Sequence, residues 1–80
     1  MKTYQRISCD YYDNLEAWAT LKTLCHIIYL SETGEQKSTQ GLITDLFAEN
    51  HAEYMVLNNG LTIRLDYILS INDKPMVYVC

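Results

Sequence analysis

Apolar and polar positions change rhythm once along this chain, and the change divides it into a helical part and a stranded part. Leu15, Trp18 and Leu21 fall three apart, with the good helix formers Ala17 and Ala19 between them, which predicts one short amphipathic helix. The first nine or so residues read as an extended lead-in. Asp10 or Asp13 can cap the helix, since a side-chain oxygen there accepts from an unpaired backbone N–H. With Asp13 as the cap, Glu16 sits at the third helical position and reaches back, an acidic variant of the capping box.

From Thr23 onward the spacing is that of strands. Residues 23–31 (TLCHIIYLS) are rich in β-branched and aromatic side chains, and Glu32-Thr33-Gly34-Glu35 is a turn signal leading into a second strand over 36–46. Residues 52–57 (AEYMVL) predict a third strand, closed by Asn58-Asn59-Gly60, residue types that tolerate positive φ. Leu61, Ile63 and Leu65 alternate with Thr62, Arg64 and Asp66, the clearest half-buried strand in the chain. Residues 67–71 continue after a bend, and 76–79 add a last strand beyond Pro75. The fold expected is mainly β with one N-terminal helix: a small, strongly bent antiparallel barrel of five to six strands, Sm-like or SH3-like. Closure removes exposed edges and gives a short chain its best burial. The pattern leaves an OB-fold open. One domain is expected over 1–80, with the helical part to about residue 22 and the barrel from about 23.

Composition narrows the function. Eighty residues allow one domain and a modest core. No apolar run reaches the ~20 residues of a membrane span, and the polar lead-in is unlike a signal peptide, so a cytoplasmic protein is expected. Cys9, Cys25 and Cys80 are odd in number and lack a C-x-x-C pair, which suggests neither a disulfide framework nor a zinc ribbon. Adjacent Cys25 and His26 would point to opposite strand faces, poor geometry for sharing a metal. Ten acidic residues face six basic ones, for a net charge of −4. Lys2, Arg6, Lys22, Lys37, Arg64 and Lys74 are scattered singly. Nucleic-acid binders display basic clusters that displace counterions; this chain is better suited to meeting a basic protein surface.

Residues 4–16, YQRISCDYYDNLE, carry a more specific signal. In the pattern Y-Q-x-I-x-C-D-x-Y-D-N-L-E they resemble the N-terminal signature of the Rof family. Further matches follow in register: Gly34-Glu35, Asp45-Leu46, Glu53-Tyr54, and Arg64-Leu65-Asp66 with Ile68 and Ser70. Residues 17–26 and those after Asn72 depart from the family pattern. The resemblance implies an Sm-like barrel preceded by a helix. It also implies binding to the N-terminal domains of Rho, the hexameric RNA-dependent helicase that terminates transcription, so that RNA loading is impeded and termination antagonised.

On that reading the contact residues are Asp13, Asn14 and Glu16, with Asp10 and Tyr12 beside them. Helix capping is the competing role for each carboxylate taken singly. Three carboxylates and an amide in one turn exceed what a cap needs, and can offer acceptors to Arg or Lys. Of the seven tyrosines, Tyr29, Tyr54 and Tyr78 fall in strands and suit the core, while Tyr12 suits an interface. Trp18 is expected to anchor the helix to the barrel. His26 and His51 are isolated, and no serine has a G-x-S-x-G context; no P-loop, Rossmann or metalloprotease motif is present. No enzyme activity, cofactor or metal is expected, and the protein is expected to be a monomer. Two other readings stay open: an Sm-like RNA-binding ring, and an adaptor barrel with a different partner.

Overall fold

The computed structural model describes residues 7–78. Its helix, α1, spans Cys9–Thr20, and its cap is Ser8 rather than either aspartate: the Ser8 hydroxyl accepts from the Tyr11 amide at 3.1 Å. The serine is extended at φ −67° and ψ 150°, as an N-cap should be. Its own amide is held by the Val77 carbonyl at 2.8 Å, which ties the helix start to the far end of the chain. Asp13 is therefore inside the helix, and the acidic capping box does not form.

The helix buries a different stripe from the one expected. Tyr11 and Leu15 are in the core, four apart, and Trp18 packs against it from the next turn, the i, i+4, i+7 set of one helix face. Trp18 stands edge-on to Tyr11, with ring centroids 6.3 Å apart and planes at 83°. Leu21, expected on this face, is 74% exposed. The reason is the helix end. Thr23 donates to the Trp18 carbonyl and Lys22 to that of Ala19, while Lys22 takes φ 53°. This is a Schellman closure with lysine in the place usually held by glycine, and it turns the chain away before Leu21 can pack.

Seven strands follow: β1 Cys25–Leu30, β2 Gln36–Gly41, β3 Ile43–Glu49, β4 Ala52–Leu57, β5 Thr62–Arg64, β6 Ile68–Ile71 and β7 Lys74–Pro75, with a 3-10 turn at Leu65–Tyr67. They form two antiparallel sheets, ordered β2-β1-β6-β7 and β3-β4-β5. The mainly β, one-helix expectation holds. The single closed barrel of five or six strands is replaced by two sheets that share their inner faces, because the predicted strand over 36–46 breaks at Leu42. There Asn58 takes both backbone groups of Leu42: its side-chain oxygen accepts from the Leu42 amide at 3.1 Å, and its own amide donates to the Leu42 carbonyl at 2.9 Å. Gly41 lets Asn58 approach that closely, since a Cβ there would lie 2.8 Å from the asparagine oxygen. The other passage between the sheets is the 3-10 turn between β5 and β6.

Two turns were missed in the pattern. Asn50-His51 joins β3 to β4 and Asn72-Asp73 joins β6 to β7, all four residues with φ between 51° and 65°, the two-residue hairpin geometry that matches strand twist. The last strand consequently comes earlier than expected: β7 contains Pro75 at a sheet edge, where a residue without an N–H is tolerated. Tyr78 then makes a single bridge to Ile7; residue 79 lies outside the described residues.

Ile7, Tyr11, Leu15, Cys25, Ile27, Ile43, Met55, Leu57, Ile63, Leu65, Ile68 and Ile71 make one core between the sheets and beneath the helix. Tyr29 and Tyr78 pack against it, as expected, and so does Tyr12. Tyr54 instead stacks on Phe47, with centroids 5.1 Å apart and planes at 18°.

Gly41→Ala should destabilise the protein by about 1–3 kcal/mol, through overpacking and displacement of the Asn58 clamp, read as a lower urea midpoint at unchanged slope. A second expectation concerns alkaline pH. Burial pushes the Tyr11 phenol up to about 12. A raised phenol contributes stability that is fully present below the ordinary tyrosine value of 10 and is lost as pH rises through the folded value. The urea midpoint should therefore fall between pH 10 and 12, and Tyr11→Phe should flatten that fall while lowering the midpoint at neutral pH.

Candidate docking face

Rotation of α1 about its axis is set by Tyr11 and Leu15, and it decides which polar residues meet the second sheet. At about 100° per residue, Tyr12 and Glu16 fall on one flank of the buried stripe, Asp10 and Asn14 on the other, and Asp13 on the outer face between them. The first flank faces β3 and β4. Ile7, Cys9, Tyr12, Asp13 and Glu53 line one shallow depression there. Tyr12 is half-buried at its floor, while Asp13 and Glu16 are exposed.

The electrostatics of the depression are read most directly at Tyr12. Its phenol is raised above the ordinary value, first by burial and then by the carboxylates of Glu53, Glu16 and Asp45. Four acidic residues thus converge on one side of the molecule, two from the helix and two from the strands. Asp45 sits at the irregularity in the β3–β4 ladder, where its side-chain oxygen accepts from the Leu46 amide at 2.9 Å. A cluster of this kind repels a phosphate backbone and attracts guanidinium and ammonium groups.

The structure therefore brings together three of the five expected contact residues, Tyr12, Asp13 and Glu16. Asp10, exposed in the first helical turn, and Asn14, half-buried, belong to the opposite flank. Asp45 and Glu53 were not expected to join the site. They lie in the matched segments Asp45-Leu46 and Glu53-Tyr54, but no sequence spacing ties them to a helix some thirty residues earlier.

Cys25 and His26 behave as strand neighbours should. The thiol is buried, donates to the Thr23 carbonyl at 3.4 Å and is raised by burial, whereas His26 is exposed. Among the described residues, no three His, Cys, Asp or Glu side chains are grouped to hold a metal ion, and no helix is long and apolar enough to cross a membrane.

Fold and face together describe a small, acidic, mainly β protein that presents carboxylates around a half-buried tyrosine. No protein-family model matches the chain. Two curated proteins do, each named Protein rof, from Escherichia coli strain K12 and Shigella flexneri. Both are 37% identical over 73 residues, spanning 88% of this chain and 82% of the relative. The chain belongs to the Rof family.

Tyr12 provides a spectroscopic check on this arrangement. In an absorbance titration that resolves Tyr12 by comparison with Tyr12→Phe, its ionisation should fall above pH 10 and move down in Glu53→Gln. An unmoved ionisation would place Glu53 away from the phenol.

Proposed function

We propose that this protein inhibits the transcription terminator Rho by docking on its N-terminal RNA-binding domain, in the cytoplasm, as a stoichiometric partner without catalytic turnover. The observation that carries the reading is the acidic face built from Tyr12, Asp13 and Glu16 of the helix with Asp45 and Glu53 of the second sheet. A surface that holds RNA must present Arg and Lys groups to phosphates. Carboxylates placed around a half-buried aromatic ring can occupy those groups instead, with Tyr12 supplying apolar area and a polar tip. Membership of the Rof family supports the same partner through the resemblance of residues 4–16. The Sm-like architecture that the resemblance implies would then serve protein binding rather than RNA binding, with the two sheets acting as a rigid support for the helix.

Magnitudes separate the contributing residues. An exposed ion pair contributes about 0.2–1 kcal/mol, but losing one partner of a desolvated, hydrogen-bonded pair costs about 2–5 kcal/mol. Asp13 and Glu53 flank the half-buried Tyr12 and stand to be desolvated on docking. Asp10, on the far flank, stays at the rim.

The test is displacement of a labelled pyrimidine-rich RNA from the cognate Rho. Wild-type protein should displace it without binding the RNA itself, and less effectively as salt rises, because complementary charge drives association. Asp13→Ala should weaken displacement by about tenfold or more, equivalent to about 1.4 kcal/mol. It should leave the melting temperature nearly unchanged, because Asp13 is exposed and does not cap the helix. Asp10→Ala should change displacement little. A folded protein that neither displaces the RNA nor is retained by Rho would overturn the reading.

A further inference from the structure

The second sheet has another face, and on β4 strand parity separates it from the side that carries Glu53, whereas Asp45, paired with Val56, has the parity of the Tyr54 side. Glu53 and Tyr54 are neighbours on β4, so their side chains leave opposite faces of the sheet. On the Tyr54 side the ladder aligns Phe47, Tyr54 and Arg64 across three strands. Phe47 and Tyr54 are stacked, and the Arg64 guanidinium continues the row onto the ring of Tyr67, 5.3 Å from its centroid. Where this row meets the end of β1 there is a cleft lined by Tyr29, Tyr54, Tyr67, Arg64 and Glu32 among others. A second depression shares Leu30, Ser31, Glu32 and Tyr67 with it and extends to Gly34 in the β1–β2 turn. The two are contiguous and make one groove lined by three tyrosines, running from β4 and β5 to the β1–β2 turn.

We propose that this groove is a second docking site, and that its occupant is an extended, proline-rich peptide segment carrying a basic residue. Three features select that chemistry. The groove continues through two depressions, from Tyr54 and Thr62 to Gly34, which suits an extended chain better than a compact ligand. Its floor is tyrosine, whose rings receive proline rings and whose hydroxyls donate to the free carbonyls of a polyproline II segment. Its charge is that of an acceptor. Arg64 is neutralised by the buried Asp66 carboxylate at 2.8 Å, which leaves the exposed Glu32 as the lining charge that can meet a cation from the ligand. The same charge pattern disfavours a nucleic-acid strand, whose bases could stack on tyrosine but whose phosphates would meet Glu32 rather than free cations.

This site is independent of the acidic face, so the two can fail separately. The probe is a short synthetic proline-rich peptide with one arginine, titrated into the full chain and followed by amide chemical shifts. Saturable shifts should appear at Tyr29, Glu32, Tyr54 and Tyr67 and spare Asp13 and Glu16. Tyr67→Ala should weaken binding by about tenfold, the scale of one aromatic anchor. Glu32→Gln should weaken it several-fold and abolish the preference over the same peptide with glutamate in place of arginine. Glu32 is exposed, so this second variant does not depend on the fold tolerating the loss of a tyrosine. Shifts absent at millimolar peptide, shifts unaltered in Glu32→Gln, or saturable shifts at these residues with oligouridylate but not with the peptide would each overturn the proposal.

Discussion

The Tyr11 hydroxyl donates to the Lys74 carbonyl at 2.7 Å, and the arrangement of the whole molecule depends on that contact and the burial around it. The side chain is 1% exposed, so its hydroxyl would cost about 1–3 kcal/mol if it were left unpaired. The carbonyl it finds belongs to the last strand, on the opposite side of the sequence. One residue thus fixes the helix at a single rotation and holds the C-terminal hairpin against it. Ser8 adds a second tie through Val77, and Ile7 a third through its bridge to Tyr78. A helix of this length is marginal alone; here it is held by tertiary contacts at its first turn. Because Tyr11 and Leu15 determine which side is down, they also determine that Tyr12 and Glu16 face the second sheet, with Asp13 lining the same depression as Tyr12. The acidic face is a by-product of core packing.

Asparagine performs the corresponding task in the sheets. Asn58 satisfies both backbone groups of Leu42, and Asn72 does the same for His26, accepting from its amide at 2.9 Å and donating to its carbonyl at 2.8 Å. At both places the regular ladder ends, and the asparagine takes up backbone groups that no neighbouring strand pairs. Asparagine suits the role because its side chain can mimic a peptide group, and because it tolerates positive φ, as Asn72 does. The Asn58 clamp lets the chain turn between the two sheets, and the Asn72 clamp holds the β6–β7 turn against β1 within one sheet. The result is two short sheets, each with one face in the core and one in solvent, from a chain too small to support a larger core.

The sequence discloses the elements better than the joints. β1 and β4 lie where the pattern of apolar residues puts them, since alternation over six residues is a local signal. The break at Leu42 is not local: its cause, Asn58, is sixteen residues downstream, and the alternation around Gly41 and Ile43 runs straight through it. The helix cap was legible in principle. Reading Tyr11, Leu15 and Trp18 as the buried set, in place of Leu15, Trp18 and Leu21, moves the helix start back to Ser8. The burial of Tyr11 rests on a contact with Lys74, far along the chain, and no local pattern announces it. The two-residue turns at Asn50-His51 and Asn72-Asp73 also had a signal, a pair of residues tolerant of positive φ, but neither contains the glycine that usually announces such a turn. For the docking face, the family signature supplies the helix half. The strand half, Asp45 and Glu53, depends on how the helix packs and was beyond any local pattern.

The two sides of β4 also show how a protein of net negative charge can keep distinct surfaces. Around Tyr12, burial and then the carboxylates of Glu53, Glu16 and Asp45 raise the phenol together. Around Tyr54 a similar tyrosine has a guanidinium across the ladder, and that guanidinium is already paired with a buried carboxylate. The pairing costs desolvation and adds little stability by itself. Its structural effect is to hold Arg64 in the aromatic row, over the Tyr67 ring, and cancel its charge, so this side is aromatic with Glu32 as its lining charge where the other is aromatic and strongly acidic. On the proposed readings, selectivity follows from a cluster of carboxylates at one face and from aromatic shape together with the Glu32 carboxylate at the other. A single residue step along one strand separates them.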